Sequence, residues 1–321
     1  MPAPTSTIAV DVRELSKHFG QFKAVDNISF QIGRGEVFGF LGPNGAGKTT
    51  TIRVLCGILP ATSGNGTVLG LDVVRESEKI KTKIGYMSQR FSLYDDLTVF
   101  ENLSFYAGVQ GLDADRRKLR IDAMLTLADM HDRREQLAGQ LSGGWKQRLA
   151  LACSLVHEPE MVFLDEPTSG VDPVSRRRFW DMIYRIADQG TTVLVTTHYM
   201  DEAEQFDHLA FIDRGKLIAS GTPDQLKKQY FHARLWEINC TPLALASDTL
   251  RNQPFILDVS IPGGALHVIT PTDFSDVTQL QKPLIDAGVT VHAVRETVPS
   301  LEDVFVHLTE SGQKLAGGAK R

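Results

Sequence analysis

Residues 37–57 read VFGFLGPNGAGKTTTIRVLCG, and this stretch decides the fold of the larger part of the chain. A compact apolar run ends at Gly42, a glycine-rich loop follows, and residues 48–57 have the character of a helix. Strand, loop and helix in this order, with glycines and a lysine at these positions, are typical of a phosphate-binding loop. The glycines let several backbone N–H groups point at phosphate oxygens, and the helix N-terminus adds partial positive charge.

The same loop predicts how a nucleotide is held. Lys48 can reach the β- and γ-phosphates, and the hydroxyl of Thr49 can ligate Mg²⁺. ATP and Mg²⁺ are therefore the predicted ligands. The loop residues expected to contact them are Gly42, Asn44, Gly45, Ala46, Gly47, Lys48, Thr49 and Thr50.

Two adjacent carboxylates follow a second apolar run, MVFL at residues 161–164. Burying such charges is costly unless they have a function, and ligands of open α/β sheets bind beyond the carboxyl ends of the strands. Asp165 is expected to hold Mg²⁺, directly or through water. Glu166 is expected to polarise the attacking water as a general base. The alternative is a structural acidic turn before Pro167.

Two further polar residues end predicted strands in the same way. Gln89 ends the run at 83–89, and His198 follows the run at 191–197. Either residue alone is more often structural, but next to a phosphate loop the sheet would bring both to one nucleotide. Gln89 would contact Mg²⁺ and the attacking water, and His198 would hydrogen-bond the γ-phosphate.

A second anion-binding nest is predicted at residues 141–145, LSGGW, which open a helix. Ser142 can cap this helix, and Gly143 and Gly144 leave its N–H groups uncovered. One ATP has no evident need for two nests in one subunit. A second subunit that offers its nest to the first subunit's ATP would explain the pair, whereas the alternative is a simple capped helix.

The alternation of strands and helices over residues 8–224 predicts a mainly parallel α/β sheet covered on both faces, preceded by short β-rich runs over about 8–40. From 225 to 311 the predicted order βαββαβ is that of a ferredoxin-like α+β domain. Residues 1–7 and 312–321 are predicted to be flexible ends. The run Arg176–Arg177–Arg178 is interpreted as a solvated helix face.

The composition restricts the partners and the compartment. The chain has 321 residues and a net charge of −5, so nothing in it calls for a nucleic-acid partner. Its three cysteines, Cys56, Cys153 and Cys240, are too far apart for a disulfide framework or a zinc site, which favours a reducing cytoplasm. No stretch approaches the roughly 18–20 apolar residues that cross a bilayer, so another chain would have to supply a membrane-spanning part.

Residues of about 8–222 resemble the nucleotide-binding domain of ABC transporters. Six motifs occur in the family's order and at its approximate spacing: Walker A at 42–49, the Q-loop at Gln89, the signature at 141–145, Walker B at 162–166, the D-loop at 169–172 and the H-loop at His198. Phe19 stands where the family carries an aromatic residue that stacks on adenine. The resemblance implies an ABC-type P-loop NTPase fold with an inserted helical subdomain at about 90–158.

The resemblance also implies partners. Two ATP molecules would lie between two subunits arranged head to tail, with Ser142, Gly143 and Gly144 of one subunit facing the ATP of the other and Asp172 at the same interface. The second subunit would be another copy or a homologous ATPase. An integral membrane permease would receive the pair at the cytoplasmic face of the membrane, with residues 91–101 near its coupling helix.

The C-terminal part resembles a narrower group. The tail PSLEDVF at 299–305 is similar to a motif of bacterial drug-resistance, sodium-extrusion and multidrug-export ATPases, which implies export. The last domain would either support the dimer or bind a small regulatory ligand. One departure from the family is Trp145, which replaces the usual signature glutamine and could alter ribose contacts or closure.

The rival interpretation is a soluble ABC-type ATPase that acts on ribosomes or in DNA repair. Such relatives typically carry two cassettes in one chain, a long coiled coil or zinc modules. This chain has one phosphate loop, one signature motif, no heptad run and no cysteine cluster. An ATPase of the AAA or RecA type would lack the signature at 141–145.

Overall fold

The computed structural model describes residues 7–90 and 92–317, with side chains as far as residue 309. The described chain divides into two compact units after Pro223. The ends predicted to be flexible lie mostly outside the described residues, as does Phe91. Residues 312–317, which the sequence places in such an end, belong to the last helix.

The first unit combines two sheets with a set of helices. Its described strands are β1 (Ile8–Phe19), β2 (Phe22–Gly33), β3 (Val37–Leu41), β4 (Ser63–Val68), β5 (Leu71–Asp72), β6 (Ile84–Met87), β7 (Met161–Asp165), β8 (Thr192–Thr197), β9 (His208–Asp213) and β10 (Lys216–Gly221). Its helices are α1 (Lys48–Leu55), α2 (Ser77–Lys81), α3 (Val99–Val109), α4 (Ala114–Ala128), α5 (Gly143–Leu155) and α6 (Pro173–Asp188), and α7 (Pro223–Tyr230) spans the boundary between the units.

The larger sheet has the order β10-β9-β3-β8-β7-β6 and is parallel apart from β10. Every residue of β3, β7 and β8 is buried, as expected for continuous apolar strands covered on both faces. Leu41 pairs with Thr197, and Asp165 pairs with Thr196. The carboxyl ends of these strands are therefore level, which brings the loops that follow them to one edge of the sheet.

The smaller sheet, β2-β1-β4-β5, is antiparallel. The sequence predicts only short β-rich runs here, but β1 and β2 are 12 residues each. They are joined by a tight turn with Gly20 at φ 59°, and β1 is irregular near Glu14, at φ 51°. These irregularities shift the alternation of buried and exposed residues, so the period-2 pattern is broken within a continuous strand.

Three helices form the predicted helical subdomain. α3 begins with a capping box in which Thr98 and Glu101 satisfy each other's backbone N–H groups. α4 begins at Ala114, and its first turn is polar and largely exposed. Its N-terminus is capped by Asp113.

The helix α6 corrects one interpretation of the sequence. Arg177 and Arg178 are exposed, as predicted for a solvated face. The side chain of Arg176 is only 20% exposed and pairs with Asp201. The prediction of a solvated face is therefore wrong for Arg176, because the turn after β8 packs against this part of α6.

The second unit consists of β11 (Arg234–Thr241), α8 (Leu243–Arg251), β12 (Asp258–Ser260), β13 (Leu266–Thr270), α9 (Thr278–Asp286), β14 (Thr290–Thr297) and α10 (Leu301–Gly317). The order of elements through β14 is the predicted βαββαβ, in one antiparallel sheet of order β12-β13-β11-β14. The ferredoxin-like assignment itself stays a prediction. The unit has its own apolar core, which includes Trp236, Ile238 and Leu280.

The tail motif at 299–305 begins α10. Ser300 and Asp303 exchange hydrogen bonds at the start of this helix, the Ser300 N–H donating to Asp303 at 2.8 Å. Leu301 and Val304 are buried. The motif therefore both starts the helix and supplies its apolar contacts.

The three cysteines, which the sequence predicts to form neither a disulfide framework nor a zinc site, are free and buried. Among the described residues, no helix has the length and apolar character needed to cross a membrane.

Candidate nucleotide-binding site

The phosphate loop joins β3 to α1, and its glycines are required by close backbone packing. A Cβ at Gly42 would lie 2.1 Å from the Ile212 carbonyl oxygen, and one at Gly47 would lie 2.3 Å from the Ala24 carbonyl oxygen. Gly47 also has φ 109°, a conformation that favours glycine. Only a chain without side chains at these two positions can follow this path.

Lys48 opens α1 and folds back over the loop. Its side chain is 4% exposed, and its ammonium group donates hydrogen bonds to the carbonyls of Gly42 at 2.7 Å and Pro43 at 3.1 Å. The same Nζ lies 3.1 Å from Oε1 of Glu166, which is 8% exposed. The cation that the sequence assigns to phosphate binding is thus held at the loop by a buried carboxylate.

Asp165 lies at the end of β7 and is bound by two threonines. Its Oδ1 accepts hydrogen bonds from Thr49 Oγ1 at 2.9 Å and from Thr196 Oγ1 at 2.8 Å. Burial raises the pKa of Asp165, and the two threonine hydroxyls act against that rise.

This pair of oxygen donors suits Mg²⁺, which proteins usually bind through one or two carboxylates together with substrate phosphates and water. Asp165 and Thr49 are the side chains of this chain that would hold it. No group of three or more His, Cys, Asp or Glu residues within the described chain could form an all-protein metal site.

Glu166 is the centre of the polar cluster. Gln89 Nε2 donates to its Oε2 at 3.0 Å, and His198 Nδ1 lies 3.3 Å from the same oxygen. The Glu166 backbone has φ 48°, an uncommon conformation for a side-chain-bearing residue, and its N–H is held by both oxygens of Thr196 at 3.0 and 3.1 Å. Strain that the surroundings maintain in this way is concentrated at functional sites.

Two further predicted site residues, Phe19 and Asp172, make contacts of their own. Phe19 ends β1 with 49% of its surface exposed, and the Lys17 ammonium lies 5.1 Å from its ring centroid. Asp172 caps α6 by accepting hydrogen bonds from the N–H groups of Val174 and Ser175. Hydrogen bonds from Ser175 hold the pKa of Asp172 below its usual range.

The signature segment corrects one detail. Ser142 occupies the N-cap position of α5, but its side chain accepts no capping hydrogen bond, so the predicted cap is wrong. Its hydroxyl therefore does not cover the first N–H groups of the helix. A Cβ at Gly143 would meet nothing within 4 Å, whereas one at Gly144 would lie 2.4 Å from Ser175 Oγ. Gly144 is thus required for packing, and Gly143 is not.

Four residues that contact the predicted site residues or their neighbours were missed by the sequence analysis. Thr196 binds both carboxylate residues, and its signal is a hydroxyl directly opposite Asp165 in the next strand. Gln147 is fully buried and donates to the Pro167 carbonyl. Arg148 contacts the face of Trp145 at 3.5 Å from guanidinium carbon to ring centroid, and Arg133 does so at 4.3 Å. The contacts of Gln147, Arg148 and Arg133 depend on tertiary packing and leave no local pattern in the sequence.

The chain is similar to known proteins over both units. Residues 25–169 match the ABC transporter family. A daunorubicin resistance ATP-binding protein of Streptomyces coeruleorubidus is 36% identical over 316 residues, which cover 97% of this chain and 99% of that protein. A probable multidrug ABC transporter ATP-binding protein of Escherichia coli is 51% identical over 226 residues, or 70% of this chain. That alignment spans 39% of the Escherichia coli protein.

A solved structure with the same fold is the ATP-binding cassette MJ0796, dimeric in a post-hydrolysis state and bound to ADP and Pi. It is 25% identical, with a TM-score of 0.61 over 66% of this chain and 98% of that chain. The predicted ABC-type P-loop fold is confirmed by this likeness and by the family match. With a full-length relative at 36% identity, the chain belongs to the ATP-binding proteins of the ABC transporter family.

Proposed function

We propose that this chain is the ATP-hydrolysing subunit of an ABC exporter and drives a separate integral membrane permease. The observation that carries the proposal is the buried contact of Lys48 with Glu166, 3.1 Å apart, beside the Asp165–Thr49 pair. A phosphate-binding cation, a candidate base and an oxygen-donor pair are together at the edge of one sheet. This arrangement suits phosphoryl transfer to water.

Each side chain has a role that its geometry supports. When phosphates enter the loop, Lys48 turns to them and leaves Glu166 Oε1 for the attacking water, from which Glu166 takes a proton. Gln89, which donates to Glu166 Oε2, orients the carboxylate and the water. His198, whose Nδ1 lies 3.3 Å from Glu166 Oε2, would hydrogen-bond the γ-phosphate. Mg²⁺, held by Asp165 and Thr49, would neutralise phosphate charge.

Two subunits would complete the site. The open N-terminus of α5, with Ser142 uncommitted and Gly143 facing free space, suits a phosphate from another chain. The dimeric state of the related cassette MJ0796 supports this assembly. Phe19 would stack on adenine, and Asp172 would lie at the interface. The partner subunit is a second copy or a homologous ATPase.

The permease would dock at the helical subdomain, at the cytoplasmic face of the membrane. Tyr94 and Phe105 are 44% and 40% exposed and touch edge to face with ring centroids 4.7 Å apart, which supports an apolar docking surface there. The names of the relatives, drug resistance and multidrug transport, favour an exporter over a soluble ribosomal or DNA-repair ATPase.

The second unit, from about residue 225 to 311, is proposed to support the dimer rather than bind a regulatory ligand. A truncation tests this. Its end should lie at Thr222, because a cut near Gln225 would fall inside α7. Weaker ATP-dependent dimerisation of the truncated protein is expected. Dimerisation at unchanged affinity would contradict dimer support.

The catalytic proposal is tested by Glu166→Gln, with Glu78→Gln as control because Glu78 is 84% exposed. ATP hydrolysis and molecular mass are measured with ATP and Mg²⁺. The expected result is a stable ATP-bound dimer with hydrolysis reduced about 100-fold or more, the range typical for loss of a general base. Rapid steady-state hydrolysis by Glu166→Gln would remove Glu166 from this role.

The transport proposal is tested by isolating tagged Glu166→Gln protein with ATP from detergent-solubilised membranes. Recovery of a polytopic membrane protein is the expected result and would identify the permease. Recovery of ribosomal proteins alone would favour the soluble ATPase while leaving the hydrolytic chemistry intact.

A further inference from the structure

Tyr199 follows the candidate γ-phosphate sensor, His198, and connects that histidine to helix α6. The ring centroids of His198 and Tyr199 are 4.2 Å apart with 35° between the ring planes. The Tyr199 N–H donates to Thr197 Oγ1 at 3.0 Å, which fixes the backbone between the strand and the turn. The orientation of the His198 ring is therefore coupled to the position of the Tyr199 ring.

Tyr199 is held in turn by a cation. The guanidinium carbon of Arg176 lies 4.4 Å from the Tyr199 ring centroid, a distance suited to a cation–π contact. Arg176 lies in the second turn of α6, four residues after Asp172, which caps this helix. The contact therefore connects the helix that begins at the D-loop with the loop that carries His198.

Acidic residues after Tyr199 keep the Arg176 guanidinium in place. Arg176 Nη1 lies 3.1 Å from Asp201 Oδ2, and Nε lies 3.7 Å from Oε1 of Glu202, which is 2% exposed. Trp180, one turn further along α6, points its indole N–H at the same Glu202 oxygen at 3.5 Å. Such a half-buried, multiply bound arginine restricts the rotamers available to Tyr199.

From this chain of contacts we propose that Arg176 is a positioning residue for the γ-phosphate sensor: through Tyr199 it holds His198 in the orientation that distinguishes ATP from ADP. The inference rests on the proposed function, in which His198 meets the γ-phosphate. Arg176 itself touches no nucleotide. Its removal is expected to act only through the histidine.

The substitution Arg176→Lys separates stacking from charge. Lysine keeps the positive charge near Asp201 but lacks the planar group that lies on the Tyr199 ring. Arg177→Lys is the matched control, because Arg177 is the next residue of the same helix and is exposed. Tyr199→Leu removes the ring that links the two residues, whereas Tyr199→Phe retains it.

The test measures the Kd values of ATP and ADP by titration calorimetry, with every variant made in the full-length Glu166→Gln background so that ATP is not consumed. His198→Ala should reduce the preference for ATP over ADP by about tenfold, the effect of losing one hydrogen bond to a charged group. Arg176→Lys and Tyr199→Leu should reduce the preference by no more than His198→Ala does, about three- to tenfold by the same reasoning. Tyr199→Phe and Arg177→Lys should leave it unchanged.

The double variant Arg176→Lys/His198→Ala decides between positioning and a general effect on the fold. If Arg176 acts through His198, the double variant has the same ATP preference as His198→Ala alone. Additive losses, an unchanged preference in Arg176→Lys, or a loss in Arg176→Lys without one in His198→Ala would each overturn the inference. A Glu166→Gln parent that binds neither nucleotide would overturn the proposed function and the inference with it.

Discussion

The ammonium nitrogen of Lys48 lies 3.1 Å from Oε1 of Glu166, and both side chains are almost completely buried. In a buried pair each charge offsets the desolvation cost of the other, so the loss of one partner leaves the remaining charge uncompensated. The two groups that the proposed reaction uses on phosphate and on water therefore stabilise each other before nucleotide binds.

The substitution Lys48→Ala is expected to lower the free energy of unfolding of the nucleotide-free protein by about 3 kcal/mol, because it strands the Glu166 carboxylate. Lys48→Ala/Glu166→Gln should regain most of this loss, since the stranded charge is gone. Urea unfolding followed by circular dichroism measures both. Equal stability of the single and double variants would show that the unpaired Glu166 carboxylate does not destabilise the fold.

The two signature glycines are predicted to respond differently to alanine. Gly143→Ala adds a methyl group in open space at the start of a helix, so the stability should be unchanged or rise by up to about 1 kcal/mol. ATP hydrolysis should fall, because the methyl group covers the N–H groups proposed to meet the partner subunit's ATP. Thermal unfolding and ATPase assays separate the two effects.

Gly144→Ala should instead destabilise the protein by about 1–3 kcal/mol, the usual range for overpacking, because its Cβ would lie 2.6 Å from Ser175 Cβ. Ser175→Gly in the same chain should relieve part of that loss. If Gly143→Ala destabilised the fold as much as Gly144→Ala, the distinction between a packing glycine and a functional one would be lost.

Asp165→Asn is predicted to stabilise the protein near pH 7.5 while reducing hydrolysis. Burial raises the pKa of Asp165 in the folded state, so that state binds the proton more tightly than the unfolded chain does. Stability is therefore lost as the pH rises from the unfolded pKa through the folded pKa. Asparagine avoids this cost and can still accept the hydrogen bonds from Thr49 and Thr196.

The measurement is the Tm of both proteins across pH. The variant should melt a few degrees higher at pH 7.5, since about 2–4 °C accompanies each kcal/mol in a unit of this size. The difference should shrink toward pH 4. Asp172→Asn should instead lower the Tm at pH 7.5. Hydrogen bonds from Ser175 lower the pKa of Asp172 and so stabilise its ionised form above the unfolded pKa. A lower Tm for Asp165→Asn at pH 7.5 would contradict the prediction.

The parts of the site that local motifs encode were predictable. The phosphate loop, Asp165–Glu166, Gln89 and His198 each end a short strand, and the geometry of a parallel sheet then requires them to lie at one edge. Their convergence on Glu166 follows from this rule together with the strand order. The roles assigned to them stay predictions until the variants are measured.

The parts that depend on tertiary packing were not predictable. Arg176 has the sequence context of a solvated face, and only the turn after β8 converts it into a half-buried residue. The long hairpin of β1 and β2 was hidden by irregularities that interrupt its alternating pattern. Ser142 has the right residue type for a cap, yet no capping hydrogen bond forms, because residue type does not determine the side-chain rotamer.

Trp145 stands at the signature position where the family usually carries a glutamine. Arg133 and Arg148 both contact its ring, and Arg148 is also tied to the Ala128 carbonyl at 3.0 Å. Trp145→Gln should lower the free energy of unfolding by about 1–3 kcal/mol, because cation–π contacts contribute about 0.5–2 kcal/mol each. Trp145→Phe should retain part of the stabilisation that Trp145→Gln loses. Urea unfolding of the nucleotide-free protein measures the stability of both variants.

Hydrolysis gives the complementary readout for Trp145. The substitution Trp145→Gln leaves Ser142, Gly143 and Gly144 unchanged. If the tryptophan acts by holding the start of α5, ATPase activity should stay within about tenfold of the parent. A tenfold change corresponds to only about 1.4 kcal/mol in the activation free energy. A stable variant without activity would instead assign Trp145 to a contact with nucleotide. A variant with unaltered stability and unaltered activity would leave the two arginine contacts without an energetic role.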